Sequence, residues 1–136
     1  MDLKSAYTQI SERSLTSADA SIASGIQESA TFFAYHAFES LGGALCSSVG
    51  EVYSKGHSRK INQFVAASRR GKLRVRISHD VAYVGMVLSS FRNKSLYPEE
   101  LASGAVELPS DFITLSNAKD IVKRVKGVTR KVVREL

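Results

Sequence analysis

Few residues in this chain have the type and spacing to do chemistry, and they cluster on apolar stretches. Tyr35, His36 and Glu39 lie within "FFAYHAFESLGGAL", and Arg92 and Asn93 close a second apolar run at "FRNKSLYP". A buried charge needs a partner, so a contact of Glu39 with Arg92, or of His36 with Glu39, is expected. His36 and Glu39 stand three apart and would share a helix face. A metal centre is not indicated. His36, His57 and His79 have no second histidine or cysteine at ligand spacing, and the Glu-x-x-His order of di-metal bundles is reversed and single. Gly42-Gly43 has neither the spacing nor the lysine of a phosphate loop. No nucleophile elbow is visible. Cys46 is the sole cysteine, set among small residues in "GGALCSSVG", and reads as an inert, semi-buried thiol.

The bulk properties set the frame for these residues. A chain of 136 residues, 43% hydrophobic and 24% charged, is one globular domain with room for a core. No apolar run reaches the roughly 18 residues that cross a membrane. The start, "MDLKSAYTQISERS", lacks the basic and apolar regions of a signal peptide, so a cytoplasmic protein is expected. The net charge of +6 is unevenly spread. Residues 1–54 carry two bases against six acids; residues 55–136 carry seventeen against seven. The segment from Lys55 to Arg76, with Arg59, Lys60, Arg69, Arg70, Lys72 and Arg74 between, contains no acid. That bias favours a polyanionic partner, nucleic acid first, with an acidic protein as the other fit.

The elements that must position these groups read as helices. A weak amphipathic helix is expected near 2–14. Ile22, Ile26, Ala30, Phe33, Ala37, Leu41 and Ala44 then recur at three or four. They predict a helix over 18–49, about 45 Å long, with Thr16 and Asp19 as a capping box and Gly50 as the stop. Its small residues, Gly42 and Gly43 among them, would let another helix come close. "HSRKINQFVAASRRG" predicts a third helix with Ile61, Phe64 and Val65 facing in and Gly71 ending it. Leu73 to Ile77 alternates like a strand. Ile77, Val81, Val84, Leu88 and Phe91 nevertheless keep helical spacing, so a helix over 73–95 is expected, ended by Pro98. Residues 98–114 read as a loop. A last helix, capped by Ser116 or Asn117, carries the stripe Ala118, Val122, Val125, Val128, Val132 and Leu136. The predicted fold is all-α, an up-and-down bundle of four to five helices with short connections.

In this order the segments resemble the HEPN family (higher eukaryotes and prokaryotes nucleotide-binding). "FFAYHAFESLGGAL" is similar to its long early helix, "GHSRKINQF" to the His-started segment that follows, and "FRNKSL" to the end of the helix with its arginine-centred motif. "LSNAKDIVKRVKGVTRKVV" is similar to the closing helix. The resemblance spans about 18–136. It implies a HEPN-like bundle and an RNA- or nucleotide-binding module of a prokaryotic toxin–antitoxin or antiviral defence system. Many members are metal-independent endoribonucleases that need no cofactor. They place an arginine, often a polar neighbour, and a histidine a few residues on, at a homodimer cleft. The 2′-hydroxyl attacks the adjacent phosphate, the histidine moves protons and the arginine stabilises the phosphorane. Carried over, Arg92 takes the arginine's place and Asn93 its neighbour's, but Tyr97 stands where the histidine belongs, and no histidine follows Arg92.

Three arrangements are then open. Tyr97 replaces the histidine in a slower enzyme; His57 or His36 reaches the cleft from elsewhere; or the site binds RNA or nucleotide without cutting it. On an ideal helix Arg92 and Tyr97 would be about 140° apart. Pro98 forces Tyr97 out of the helix, so it is expected to fold back beside Arg92. Lys55, Arg59, Lys60, Arg69 and Arg70 would bind the nucleic-acid backbone, with His36, Glu39 and His57 lining the cleft. The resemblance also implies a homodimer, and as partner a nucleotidyltransferase antitoxin or a larger defence effector.

Overall fold

A computed structural model of the chain describes residues 1–71 and 73–136; Lys72, part of the basic segment, lies outside the described residues. The protein is an all-α bundle. The helices are α1 (Leu3–Ala23), α2 (Gln27–Ser48), α3 (His57–Arg70), α4 (Val75–Leu96), a single turn α5 (Pro109–Phe112) and α6 (Leu115–Glu135). Strands β1 (Glu99–Glu100) and β2 (Val106–Glu107) form a small antiparallel hairpin between α4 and α5, with Glu99 opposite Glu107.

Helix α2 is the centre of the bundle and packs against α1, α3, α4 and α6. Every residue from Ala37 to Cys46 is buried. A helix apolar all round belongs inside a bundle rather than on its surface. The expected close approach of neighbours occurs at the two glycines. A Cβ on Gly43 would lie 2.7 Å from the Tyr7 ring of α1, and one on Gly42 would lie 2.6 Å from the Tyr53 hydroxyl and 2.8 Å from Phe64 Cβ. Phe38 and Phe64 fill the α2–α3 contact with ring centroids 4.8 Å apart. Buried Ser11 of α1 donates to the Ala37 carbonyl at 2.8 Å.

The helix predicted over 18–49 is divided, and the short one near 2–14 is longer than expected. The chain turns back at Gly25, whose φ of 70° lies in the left-handed region. Gly25 N–H donates to Ile22 C=O at 3.0 Å and Ile26 N–H to Ser21 C=O at 2.9 Å. These two bonds are the glycine-centred termination of a helix. The four-residue step from Ile22 to Ile26 hid it, because the periodicity runs unbroken across the turn. Thr16 and Asp19 are therefore mid-helix, not a cap: Thr16 Oγ1 donates to Glu12 C=O at 3.2 Å, and Asp19 pairs with Lys126 of α6 at 2.6 Å. Gly50 does stop α2, with φ of 75° and Glu51 N–H on Cys46 C=O at 2.9 Å.

Gly56 and Gly71 bound α3 as expected. The alternation from Leu73 to Ile77 makes no strand; Val75 opens α4 and is 71% exposed. Tyr97 caps α4 with extended φ and ψ of −126° and 144°, the region a following proline favours. Thr114, not Ser116 or Asn117, caps α6, its Oγ1 accepting from Asn117 N–H at 3.1 Å. The stripe Ala118, Val122, Val125, Val128 and Val132 is buried as predicted.

Candidate functional site

Tyr35 and Glu39 lie one turn apart on α2, and each holds a basic side chain from another helix. Glu39 is 3% exposed. Its carboxylate receives His57 Nδ1 at 2.8 and 3.0 Å from the two oxygens, and Lys60 Nζ at 3.3 Å. Both partners stand on the first turn of α3, which Gly56 precedes. The Tyr53 hydroxyl donates to the Glu39 carbonyl at 2.7 Å and pins the backbone at the same place. Only a residue without a Cβ at position 42 leaves room for that hydroxyl. Burial, and then the charge of Glu39, push the Tyr53 hydroxyl far above the usual phenol range, so it stays protonated and a donor.

One turn earlier, the Arg92 guanidinium lies 5.8 Å from the centroid of the Tyr35 ring. Its Nη1 donates to Asn93 Oδ1 at 3.0 Å. Tyr35 is buried at 4% exposure. Burial, reinforced by Glu39 and opposed by Arg92, raises its hydroxyl to about 12. Arg92 has no carboxylate partner among the described residues. A guanidinium within cation–π range of an aromatic ring keeps its outer N–H groups for an anion.

The expected contacts are thus exchanged. Glu39 meets neither Arg92 nor His36 but His57 and Lys60. His36 points outward and is exposed, since one step along a helix turns a side chain by about 100° away from the buried face. Arg92 and Asn93 are brought together, but the aromatic partner of Arg92 is Tyr35. Tyr97 does not fold back onto Arg92: it is 60% exposed and follows the extended direction that Pro98 imposes. The basic residues differ in what holds them. Lys60 neutralises Glu39, and Arg70 is bonded to Glu51 at 2.7 Å. Lys55, Arg59 and Arg69 are exposed without a carboxylate among the described residues. Arg59 and Arg69 are ten positions apart on α3, about 15 Å along its axis. Tyr53 was not singled out by the sequence, and no local pattern links it to Glu39, which lies on another element.

Cys46 is fully buried, and burial raises its thiol to about 11. No group of three or more metal-binding side chains converges among the described residues. A cavity of about 650 Å³ opens between the start of α1 and residues 47–53 and touches this cluster through Tyr53. No helix among the described residues is long and apolar enough to cross a membrane.

No protein-family model matches the chain, and no curated protein matches it. In the solved structures, the chain is similar to the crystal structure of TT1696 from Thermus thermophilus. The TM-score is 0.80 at 18% identity, over 100% of both chains. At that identity the likeness extends to the fold, an all-α bundle with the same overall course.

Proposed function

We propose that this chain is an RNA- or nucleotide-binding module of the HEPN type, working in a prokaryotic toxin–antitoxin or antiviral defence system. As an isolated chain it acts mainly by binding, with weak cleavage at most. The observation that carries the reading is the state of Arg92. It is anchored by Tyr35 and Asn93, at the position the HEPN resemblance gives to the phosphate-contacting arginine, and it has no carboxylate to neutralise it among the described residues. A guanidinium held that way is ready for a phosphate. Exposed Lys55 and Arg59, which have no carboxylate partner among the described residues, add positive charge.

The test is fluorescence anisotropy with single-stranded RNA at stepped salt. The reading expects a linear fall of log affinity with log salt, and a loss of about tenfold or more for Arg92→Ala. Binding that Arg92→Ala leaves unchanged would sink it. The homodimer is tested separately: light scattering at micromolar concentration should give twice the chain mass, and a monomer would remove the shared cleft. A nucleotidyltransferase or larger effector as partner is tested by co-purification with the products of adjacent genes.

A second reading, metal-independent cleavage of RNA through Arg92, is favoured by one specific observation: a histidine clamped by a buried carboxylate, Glu39, that stands one helical turn from Tyr35, the aromatic neighbour of Arg92. Incubating the chain with labelled RNA in EDTA tests it, and RNA left intact rejects it.

A further inference from the structure

We propose that the outer face of α6 binds the sugar–phosphate backbone of RNA along a row of four cations, Lys119, Lys123, Arg130 and Arg134; the inference rests on the RNA-binding reading above and adds a second contact surface to it. Helix α6 carries seven basic residues, and the fold sorts them into two sets. Three are held by carboxylates. Arg124 is bonded to Asp120 of α6 itself at 2.7 Å, Lys126 to Asp19 of α1 at 2.6 Å, and Lys131 to Asp80 of α4 at 2.6 Å. The other four are exposed and have no carboxylate partner among the described residues. They stand at i, i+4, i+11 and i+15. At about 100° per residue they fall within about 60° of arc, and at about 1.5 Å per residue the row is about 22 Å long. It lies away from the buried stripe of Ala118, Val122, Val125 and Val132. Lys126 and Lys131 flank it, each drawn to a neighbouring helix.

Gly127 stands in the middle of the row. A glycine inside a helix is unfavourable relative to alanine. Nothing lies within 4 Å of where its Cβ would be, and its φ is not positive, so neither packing nor backbone conformation requires it. What it leaves is bare helix backbone between Lys123 and Arg130. A ligand's own backbone can pass closely there, which is the use of glycine at a contact surface. Arg130 Nε donates to the Lys126 carbonyl at 3.4 Å, which leaves its terminal N–H groups for the ligand.

Charge complementarity selects phosphate as the occupant. The exposed large apolar side chain of α6 is Leu115, which precedes the row. An acidic protein would need aromatic or apolar anchors at the centre of its contact, and a membrane surface would need apolar side chains to insert. A chain of phosphates needs neither, because cations and released counterions carry its affinity. Glu12 of α1 lines the groove beside Arg130 and Arg134 and lowers the positive field at that end. Lys119 and Lys123 therefore form the stronger end of the row.

The experiment titrates the full chain against labelled single-stranded RNA at stepped salt and compares two double variants that remove the same charge. Lys123→Gln with Arg130→Gln empties the middle of the row. Lys126→Gln with Lys131→Gln removes cations that carboxylates already hold. The first should lose about tenfold or more in affinity at low salt and flatten the log–log slope by about 1.4, two single-strand phosphate contacts at about 0.7 each. The second should change affinity by less than about threefold. Gly127→Gln has open space for its side chain, so it should match or exceed the parent's urea midpoint while weakening RNA binding about three- to tenfold. Equal losses in the two double variants would overturn the row, since bulk charge alone then attracts the RNA. So would parent-like affinity in Gly127→Gln, or equally tight binding of phosphatidylserine vesicles or poly-glutamate at the same salt. Arg92→Ala in the same titration separates the two surfaces: a loss there, with the Lys123 and Arg130 double variant at parent affinity, overturns the row and leaves the Arg92 reading in place. A chain that binds no RNA overturns both.

Discussion

His57 Nδ1 sits between the two carboxylate oxygens of Glu39, at 2.8 and 3.0 Å, and joins the first turn of α3 to the most buried segment of α2. Glu39 is buried at 3% exposure, so its charge depends on that histidine and on Lys60. Glu39→Ala leaves two polar side chains that can rehydrate, since those of His57 and Lys60 are 53% and 23% exposed. The expected loss is therefore moderate, about 1–2 kcal/mol in urea unfolding. Lys60→Met, which leaves the carboxylate in the core with the histidine alone, should cost at least as much. A Lys60→Met variant as stable as the parent would show that the lysine does not hold the charge.

Gly42 and Gly127 should respond to alanine in opposite directions. At Gly42 a methyl would lie 2.6 Å from the Tyr53 hydroxyl and 2.8 Å from Phe64, whereas at Gly127 nothing lies within 4 Å. Gly42→Ala is expected to lower stability by about 1–3 kcal/mol through overpacking. Gly127→Ala, within α6, should raise it by about 0.5–1 kcal/mol through helix propensity. Thermal unfolding of the two variants side by side reads the sign of each.

Alkali should weaken the fold through its buried phenols. Tyr35 has a folded pKa raised from 10.0 to about 12, chiefly by burial, and Tyr53 is raised further. A raised folded value means that the contribution is complete below the unfolded value and is lost as pH climbs through the folded one. Stability should thus decline from about pH 10 to pH 12 as the unfolded chain releases its phenolic protons first. Denaturant midpoints across that range, compared with Tyr35→Phe, test it: the variant should show a shallower decline.

The basic residues of α3 should divide by whether a carboxylate already holds them. Arg59→Ala is expected to weaken RNA binding and reduce the salt slope by about one. Arg70→Ala, whose guanidinium is bonded to Glu51 at 2.7 Å, should change binding little. Equal losses in the two would mean that the ion pair opens on binding.

Cys46 should be silent in the native state. It is fully buried, and burial lifts its thiol to about 11. Reaction with a thiol-specific disulfide reagent should wait for unfolding and run at the rate of opening. Prompt modification of the folded chain would refute this.

Much of the bundle was legible because helical periodicity records burial. The stripe of α6, the inward face of α3 and the run from Ile77 to Phe91 reappear as buried residues, except Val65, Phe91 and Leu136, which are partly buried. The failures have local causes. The turn at Gly25 fell inside an unbroken four-residue spacing, although "SGI" after Ile22 is a glycine stop followed by an apolar residue. Thr114 lay just before the residues expected to cap α6, and boundaries shift by a residue or two where several hydroxyl and amide side chains compete.

By itself, the sequence determined that this is a helical protein with a buried middle helix, an acidic first half and a basic second half. It also determined that Arg92 and Asn93 end an apolar helix against Pro98. Those properties follow from composition, periodicity and backbone restriction, which act over a few neighbouring residues. Only the tertiary structure decided which charges meet. Glu39 and His57 are eighteen positions apart and on different helices. Tyr35 and Arg92 are farther apart still, and their pairing depends on how α2, α3 and α4 pack. Glycine at position 42 permits that packing by letting Tyr53 and Phe64 reach the α2 backbone. A side chain's neighbours across a core are set by the distances between helix axes, and those depend on every contact in the bundle at once.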